Sequence, residues 1–216
     1  MNPIFKNMSS QETEQYLKVI KAKTVNYKKD AFVFFEGDVP AFIFVLKSGA
    51  IQIEKNTADG KRLIVNRFEN SDTVFAEVYA ILDSAIYDYS CRVISDAEIL
   101  CLPIEGIFAS RVLSETNFMV IKNLLNILAQ KAYFLNQKLL IFSSFSLRQK
   151  IALYLLQQSE GRSRVELKLN REAMAEYLAV PRPSLSRELM SMQKDGLLKI
   201  EKDTIIANID KLEDYS

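Results

Sequence analysis

Two arginines five residues apart, Arg182 and Arg187, with Ser184 and Ser186 between them, form a set of side chains suited to recognition. A guanidinium presents a rigid fork of donors that matches guanine O6 and N7, and a serine hydroxyl can meet a phosphate or a base edge in the major groove. Side chains suited to catalysis or metal binding are scarcer. Histidine is absent from the 216 residues, which removes the commonest metal ligand and the commonest general base together. Cys91 and Cys101 are the only thiols, and their ten-residue spacing matches no zinc or iron–sulfur framework. No catalytic residue, metal site, cofactor or structural disulfide is expected.

The elements that must position the arginines can be read from their neighbours. Asn170 is an N-cap residue, and Ala173, Met174, Tyr177 and Leu178 follow it at helical spacing. Ala179-Val180-Pro181 ends that helix, because proline lacks an amide hydrogen and biases the residue before it away from helical geometry. In the next helix Leu185, Leu189 and Met192 share one face, while Arg182, Ser184, Ser186 and Arg187 lie on or near another. This is the pattern of a helix-turn-helix, although an αα-hairpin in some other helical domain would share it. Lys plus Arg number 28 against 27 Asp plus Glu, so net charge points to no polyanion. Between Arg148 and Lys199, however, ten basic residues face six acidic ones, a modest electrostatic footprint.

The rest of the chain supplies a frame. Ser9 and Glu12 have capping-box spacing, with Tyr16, Leu17 and Ile20 as the apolar stripe of a short helix. Short β-branched and aromatic runs follow at Ala31–Phe35, Phe42–Leu46, Ile51–Glu54, Leu63–Phe68, Tyr89–Ile94 and Glu98–Leu102. They are separated by turn signals at Glu36-Gly37-Asp38, Lys47-Ser48-Gly49 and Ala58-Asp59-Gly60, so a sandwich or small barrel is expected. From Ser114 to Phe142 the period is helical, and Phe118, Ile121, Leu125, Leu128, Ala132, Leu135, Leu139 and Phe142 form a coiled-coil seam. Beside it, Val120, Leu124, Ile127, Phe134 and Ile141 form a second stripe able to cover the helix's own barrel. The seam predicts a homodimer, and the alternative is a central helix buried within one chain. Ser143-Ser144-Phe145-Ser146 reads as a hinge, and Ser146 can cap a helix that turns Leu147, Ile151, Tyr154 and Leu155 inward. A strand at Val165–Leu169 and a hairpin of Leu197–Ile200 and Thr204–Ala207 around Lys202-Asp203 complete a winged helix-turn-helix. No apolar run approaches the ~20 residues that span a bilayer, and no signal peptide is evident, so a cytoplasmic protein without membrane contact is expected.

In this order the elements resemble the CRP/FNR superfamily of bacterial transcription regulators over nearly the whole length. The resemblance rests on Phe34-Phe35-Glu36-Gly37-Asp38 and Val45-Leu46-Lys47-Ser48-Gly49 in the barrel, and on residues 169–178 and 182–189 in the two DNA-domain helices. It implies an α+β chain in three parts. These are a cyclic-nucleotide-binding-like β-barrel (double-stranded β-helix) over 1–113, a coiled-coil dimerisation helix and hinge over 114–145, and a winged helix-turn-helix over 146–216. It also implies a palindromic double-stranded DNA partner, RNA polymerase, and a small-molecule effector. Arg182 and Arg187 would contact bases, Ser186 would add a nearby contact, and Asn170, Arg171 and Ser184 would hold phosphates. Family members often have a glutamate after the first of these arginines, where this chain has Pro183, which could meet a thymine methyl.

Departures from the family pattern bear on the effector. Cyclic-nucleotide binders carry a Gly-Glu pair for the ribose and an Arg-Ser pair for the phosphate, and here these are Ala76-Glu77 and Tyr89-Ser90. Tyrosine cannot supply the forked cation, so cAMP is not expected as a ligand. The ligand sets of the iron–sulfur and histidine-haem branches are also missing. What remains is a pocket near Glu77, Tyr79, Tyr89 and Ser90, approached by Leu135 and Asn136 from the long helix. Its effector is unidentified, and the same side chains could instead simply fill the barrel. The resulting expectation is a homodimeric DNA-binding regulator. Alternatives are a constitutive DNA-binding dimer with a ligand-free barrel, and a small-molecule-binding barrel protein without DNA function.

Overall fold

The computed structural model describes residues 2–56, 62–82, 86–108, 114–159, 161–167, 169–201 and 204–215, so the turn signals at 58–60 and 202–203 lie outside the described residues. The chain divides into two compact units, Met1–Gln130 and Lys131–Ser216.

The first unit is a jelly-roll-like sheet with helices on one side. Helix α1 (Ser10–Val19) begins with the expected capping box, the Ser9 hydroxyl accepting from the Glu12 amide while the Glu12 carboxylate accepts from the Ser9 amide. Tyr16 and Ile20 are buried beneath it. The strands are β1 (Lys23–Tyr27), β2 (Phe32–Phe34), β3 (Phe42–Asn56), β4 (Arg62–Phe68), β5 (Thr73–Phe75) and β6 (Ser90–Pro103). They pair antiparallel in the order β1-β6-β3-β4, with β2 also on β6 and β5 also on β3. Because β1 and β4 end this path unpaired with each other, the barrel expected from sequence is not closed.

The apparent breaks in the strand pattern are bends within long strands. The expected pieces Phe42–Leu46 and Ile51–Glu54 are parts of β3, and Tyr89–Ile94 and Glu98–Leu102 are parts of β6. Lys47-Ser48-Gly49 therefore makes no chain reversal. The register of β3 on β6 shifts there, between Leu46 and Ile51, which bends the strand while the ladder continues. Gly49 has φ +88°, and a Cβ there would strike the Asp96 carbonyl and lie 2.6 Å from Ala97 Cα, so the bend excludes a side chain.

Strand alternation sorts the core into two layers. Ile43, Val45, Leu100 and Leu102 face α1 and the first half of α3 (Glu115–Phe142), meeting Tyr16, Ile20, Val120, Leu124 and Ile127. Phe44, Leu46, Ile99 and Cys101 point to the other side, into a layer with Phe34, Ile51, Phe75, Tyr87, Cys91 and Val93. Rings run through that layer from Phe75 to Phe44 at 5.2 Å, Phe44 to Phe34 at 5.7 Å and Phe34 to Tyr87 at 3.8 Å. Polar groups buried on α3 are satisfied. Asn117 accepts from the Tyr16 hydroxyl at 2.8 Å and donates to the Ile107 carbonyl in α2 (Ile104–Phe108), and Asn123 donates to the carbonyls of Ile4 and Lys6.

The second unit takes residues 131–142 of α3, then α4 (Leu147–Ser159), β7 (Arg164–Glu166), α5 (Arg171–Tyr177), α6 (Arg182–Lys194), β8 (Leu198–Glu201), β9 (Thr204–Ala207) and α7 (Ile209–Glu213). The expected strand at Val165–Leu169 begins one residue earlier, and among the described residues Arg164–Glu166 pair with β9, while residues 168 and 202–203 lie outside the described residues. Ser146 caps α4 as expected, its hydroxyl accepting from the Gln149 amide at 3.1 Å. Ile151, Tyr154, Leu155, Met174, Leu178, Leu185, Leu189, Met192 and Ile205 form one core.

The second stripe of α3 is divided between the two units. Val120, Leu124 and Ile127 are buried in the first and Ile141 in the second, whereas Phe134 is more than half exposed, with its ring 6.3 Å from Tyr177. Of the seam residues, Phe118, Leu125, Leu135 and Leu139 stand 57 to 71% exposed, while Ile121 and Leu128 pack partly on the first core. Among the described residues no helix is long and apolar enough to cross a membrane.

Candidate nucleic-acid interface

Helices α5 and α6 are set by two caps and a tight turn. The Asn170 side chain accepts from the Ala173 amide at 2.9 Å, closing the first turn of α5 as its residue type predicts. The turn runs through Ala179 with φ +52°, a left-handed conformation that glycine adopts more readily than alanine. Pro181 is the N-cap of α6, and Pro183 sits in its first turn, where an amide hydrogen would have no helical partner.

The inward face of α6 is Leu185, Leu189 and Met192, each at most 1% exposed, so the opposite face is turned to solvent. Arg182, Pro183, Ser186 and Arg187 are exposed, and Ser184 is half-buried. Arg187 lies 3.5 Å from the Ser184 hydroxyl, one helical turn back. Among the described residues Arg182, Arg187 and Lys194 have no ion pair, and Ser186, Arg187, Met190, Ser191 and Lys194 line one open hollow.

The remaining basic residues of this region are not equivalent. Arg148, counted above in the electrostatic footprint, is committed to holding α6 from behind. Its guanidinium donates to Glu188 at 2.6 Å and Ser191 at 2.9 Å, pairs with Asp195 at 2.7 Å, and lies over the Tyr215 ring. The hydrogen bond to Glu188, then those to Tyr215 and Asp195, raise its pKa. Lys199 is likewise paired, with Glu201 at 2.7 Å. Arg171 is the opposite case. It is half-buried, its Nη1 is sealed from water with no hydrogen-bond partner among the described residues, and burial lowers its pKa. A further tie that the sequence did not suggest fixes the wing, as the Gln193 side chain accepts from the Ile200 amide at 2.8 Å.

The expected effector residues fall in both units, Leu135 and Asn136 in the second and the other four in the first. Ala76 has φ +58° and opens a 3-10 turn over Glu77–Ala80, and Glu77 is buried. The Tyr79 hydroxyl donates to the Asp88 carboxylate and accepts from its amide, while its ring meets Tyr87 edge-on. Ser90 accepts from the Glu36 amide at 3.0 Å, and Lys55 lies over the Tyr89 ring and pairs with Glu36 at 3.3 Å.

Sequence reading missed a polar group beside these. Glu54 pairs across strands with Ser90, accepts from Gln52 at 2.7 Å, lies 3.5 Å from Arg62, and is 4% exposed. Arg92, near it, is bound to Asp30. The signal was present in the alternation Ile51-Gln52-Ile53-Glu54, a strand with polar residues where one face should meet water. Burial on both faces is visible only once the sheet has folded over.

Residues 149–215 match the family profile described as Crp-like helix-turn-helix domain, and residues 24–109 match that of the cyclic nucleotide-binding domain. No curated protein matches the sequence. Among solved structures, the catabolite activator protein of Thermus thermophilus is 20% identical over 99% of this chain and 97% of its own, with a TM-score of 0.55. A CooA mutant from Carboxydothermus hydrogenoformans is 19% identical over 97% and 91%, with a TM-score of 0.56. The c-di-GMP responsive regulator CLP of Xanthomonas campestris is 19% identical over 92% and 99%, with a TM-score of 0.52. At these identities the likeness is one of fold.

Proposed function

We propose that this chain, whose two matched domains are those of CRP/FNR-type DNA-binding transcription regulators, acts as a cytoplasmic homodimer, dimerised through α3, that reads a palindromic site with α6 and works on RNA polymerase. The observation that carries the reading is the sidedness of α6: three buried apolar residues on one face, and two arginines without ion pairs among the described residues on the exposed part. Arg182 and Arg187 read bases with Ser186 beside them, Asn170, Arg171 and Ser184 hold phosphates, and Pro183 meets a thymine methyl. Three working parts follow: residues 1–113 as sensor, 114–145 as dimerisation helix and hinge, and 146–216 as DNA reader.

The effector acts at Glu77, Tyr79, Tyr89 and Ser90, and it is not cAMP. Arg62, Arg92 and Lys55, three cations on these strands, each already face a carboxylate, Glu54, Asp30 and Glu36 respectively. An incoming phosphate would have to displace one of them. A constitutive dimer is the second reading, favoured by the run of stacked rings inside the sheet.

Selection from randomised duplexes tests the DNA reading. Arg187→Ala should cost between about 1 and 3 kcal/mol and flatten preference at one base pair, with half-sites about one helical turn apart. Uniform weakening on every sequence would remove Arg187 from the reading set.

A further inference from the structure

The outward face of α6 carries a residue that neither charge nor hydrogen bonding explains. At 100° per residue, burial of Leu185, Leu189 and Met192 centres the outward side on Pro183, Arg187, Met190 and Lys194. Met190 is 53% exposed and lines the open hollow with Ser186, Arg187, Ser191 and Lys194. It stands three residues after Arg187 and four before Lys194, so it lies between the two cations on one face. A polyanion that neutralises both must pass over the thioether. That side chain gives a phosphate nothing to bind, and the apolar group that a major groove offers it is the C5 methyl of a pyrimidine.

We propose that Met190 is a specificity residue that reads the C5 methyl of a thymine in the major groove, at a base pair distinct from the one met by Pro183. The proposal rests on α6 being the reading helix. Pro183 and Met190 are seven residues apart, about 10 Å along the helix, which places their two methyl groups about three base pairs apart. The side chain has the properties the role needs: it is unbranched, polarisable, and anchored on a helix whose other face is locked in the core.

The test uses the full-length protein and the best duplex from selection, with each thymine of a half-site replaced in turn by deoxyuridine, which lacks only the methyl. Affinity is read by fluorescence anisotropy at fixed salt. Wild type should lose about fourfold at two positions, the worth of one buried methyl each. Met190→Ala should abolish the loss at one of them and leave the other, Pro183→Ala should do the reverse, and Met190→Leu should keep both. If Met190→Ala remains as sensitive to deoxyuridine as wild type at every position, or weakens binding alike on all duplexes, the assignment is overturned. If wild type yields no selected sequence at all, the reading of α6 itself falls first, and Met190's role with it.

Discussion

Arg171 is a charge held at a cost to the fold. Among the described residues its Nη1 has no acceptor, and burial lowers its pKa because the cation loses hydration. Methionine has similar length and no donor, and exchange of an unsatisfied buried polar group for an apolar one of like shape is neutral or stabilising. Arg171→Met should therefore leave the thermal midpoint at or above that of wild type while lowering the slope of log affinity against log salt by about one. A fall in stability with an unchanged salt slope would make Arg171 a packing residue only. The two cysteines are a simpler matter at this scale. Burial raises both thiols, Cys101 to about 11 and Cys91 further, so neither holds the thiolate that redox chemistry needs near neutral pH.

At the level of elements, α6 is positioned by apolar packing beneath it and by one polar clamp behind it. Arg148 reaches from α4 to Glu188, Ser191 and Asp195, which span two turns of the second half of α6 and its C-cap. Its side chain is 24% exposed and that of Glu188 26%, so water weakens the pair without dissolving it. Arg148→Ala should cost about 1–2 kcal/mol in chemical denaturation, and the double variant with Glu188→Ala should cost less than the sum of the singles. Additive costs would show that the clamp carries no coupling. The Lys47-Ser48-Gly49 bend works by a different means, since the close approach of Asp96 and Ala97 keeps β3 on β6 where turn residues alone would suggest a reversal.

For the whole molecule the proposed dimer makes the sharpest demand. Leu125 is 57% exposed and Leu135 62%, whereas Leu128 packs partly on its own core, so the first two separate assembly from folding. Leu125→Glu and Leu135→Glu should each place a charge in a dry interface and shift sedimentation from dimer to monomer, with helical content retained. A dimer that persists in both variants would mean that the seam is not the interface. Ligand control is a second matter at this scale. Calorimetry with millimolar cAMP should give no saturable heat, because the arginine expected by resemblance is Tyr89 and Arg92 is held by Asp30. Micromolar binding would require that pair to open.

Features set within a few residues of chain were legible in the sequence. The caps at Ser9, Ser146 and Asn170, the break before Pro181, and the buried face of α6 all depend on local backbone chemistry and helical period, and each stands where the residues place it. The same periodicities predicted a sandwich or small barrel and a helix-turn-helix, whereas the cyclic-nucleotide-binding-like form of the sheet came from the family resemblance. Features that depend on distant partners were decided only by tertiary structure. Lys47-Ser48-Gly49 reads as a turn until β6 is seen to follow β3 through it, and Gln52 and Glu54 read as a wet face until the sheet folds over them. The single apolar pattern of α3 serves two cores and an exposed seam, and no periodicity separates these uses. Arg148 and Arg171 carry the same charge in one sequence, yet the first is fully engaged and the second holds an unmet donor. That difference arises because an ion pair is made by what the fold brings within about 4 Å, which charge order along the chain does not encode.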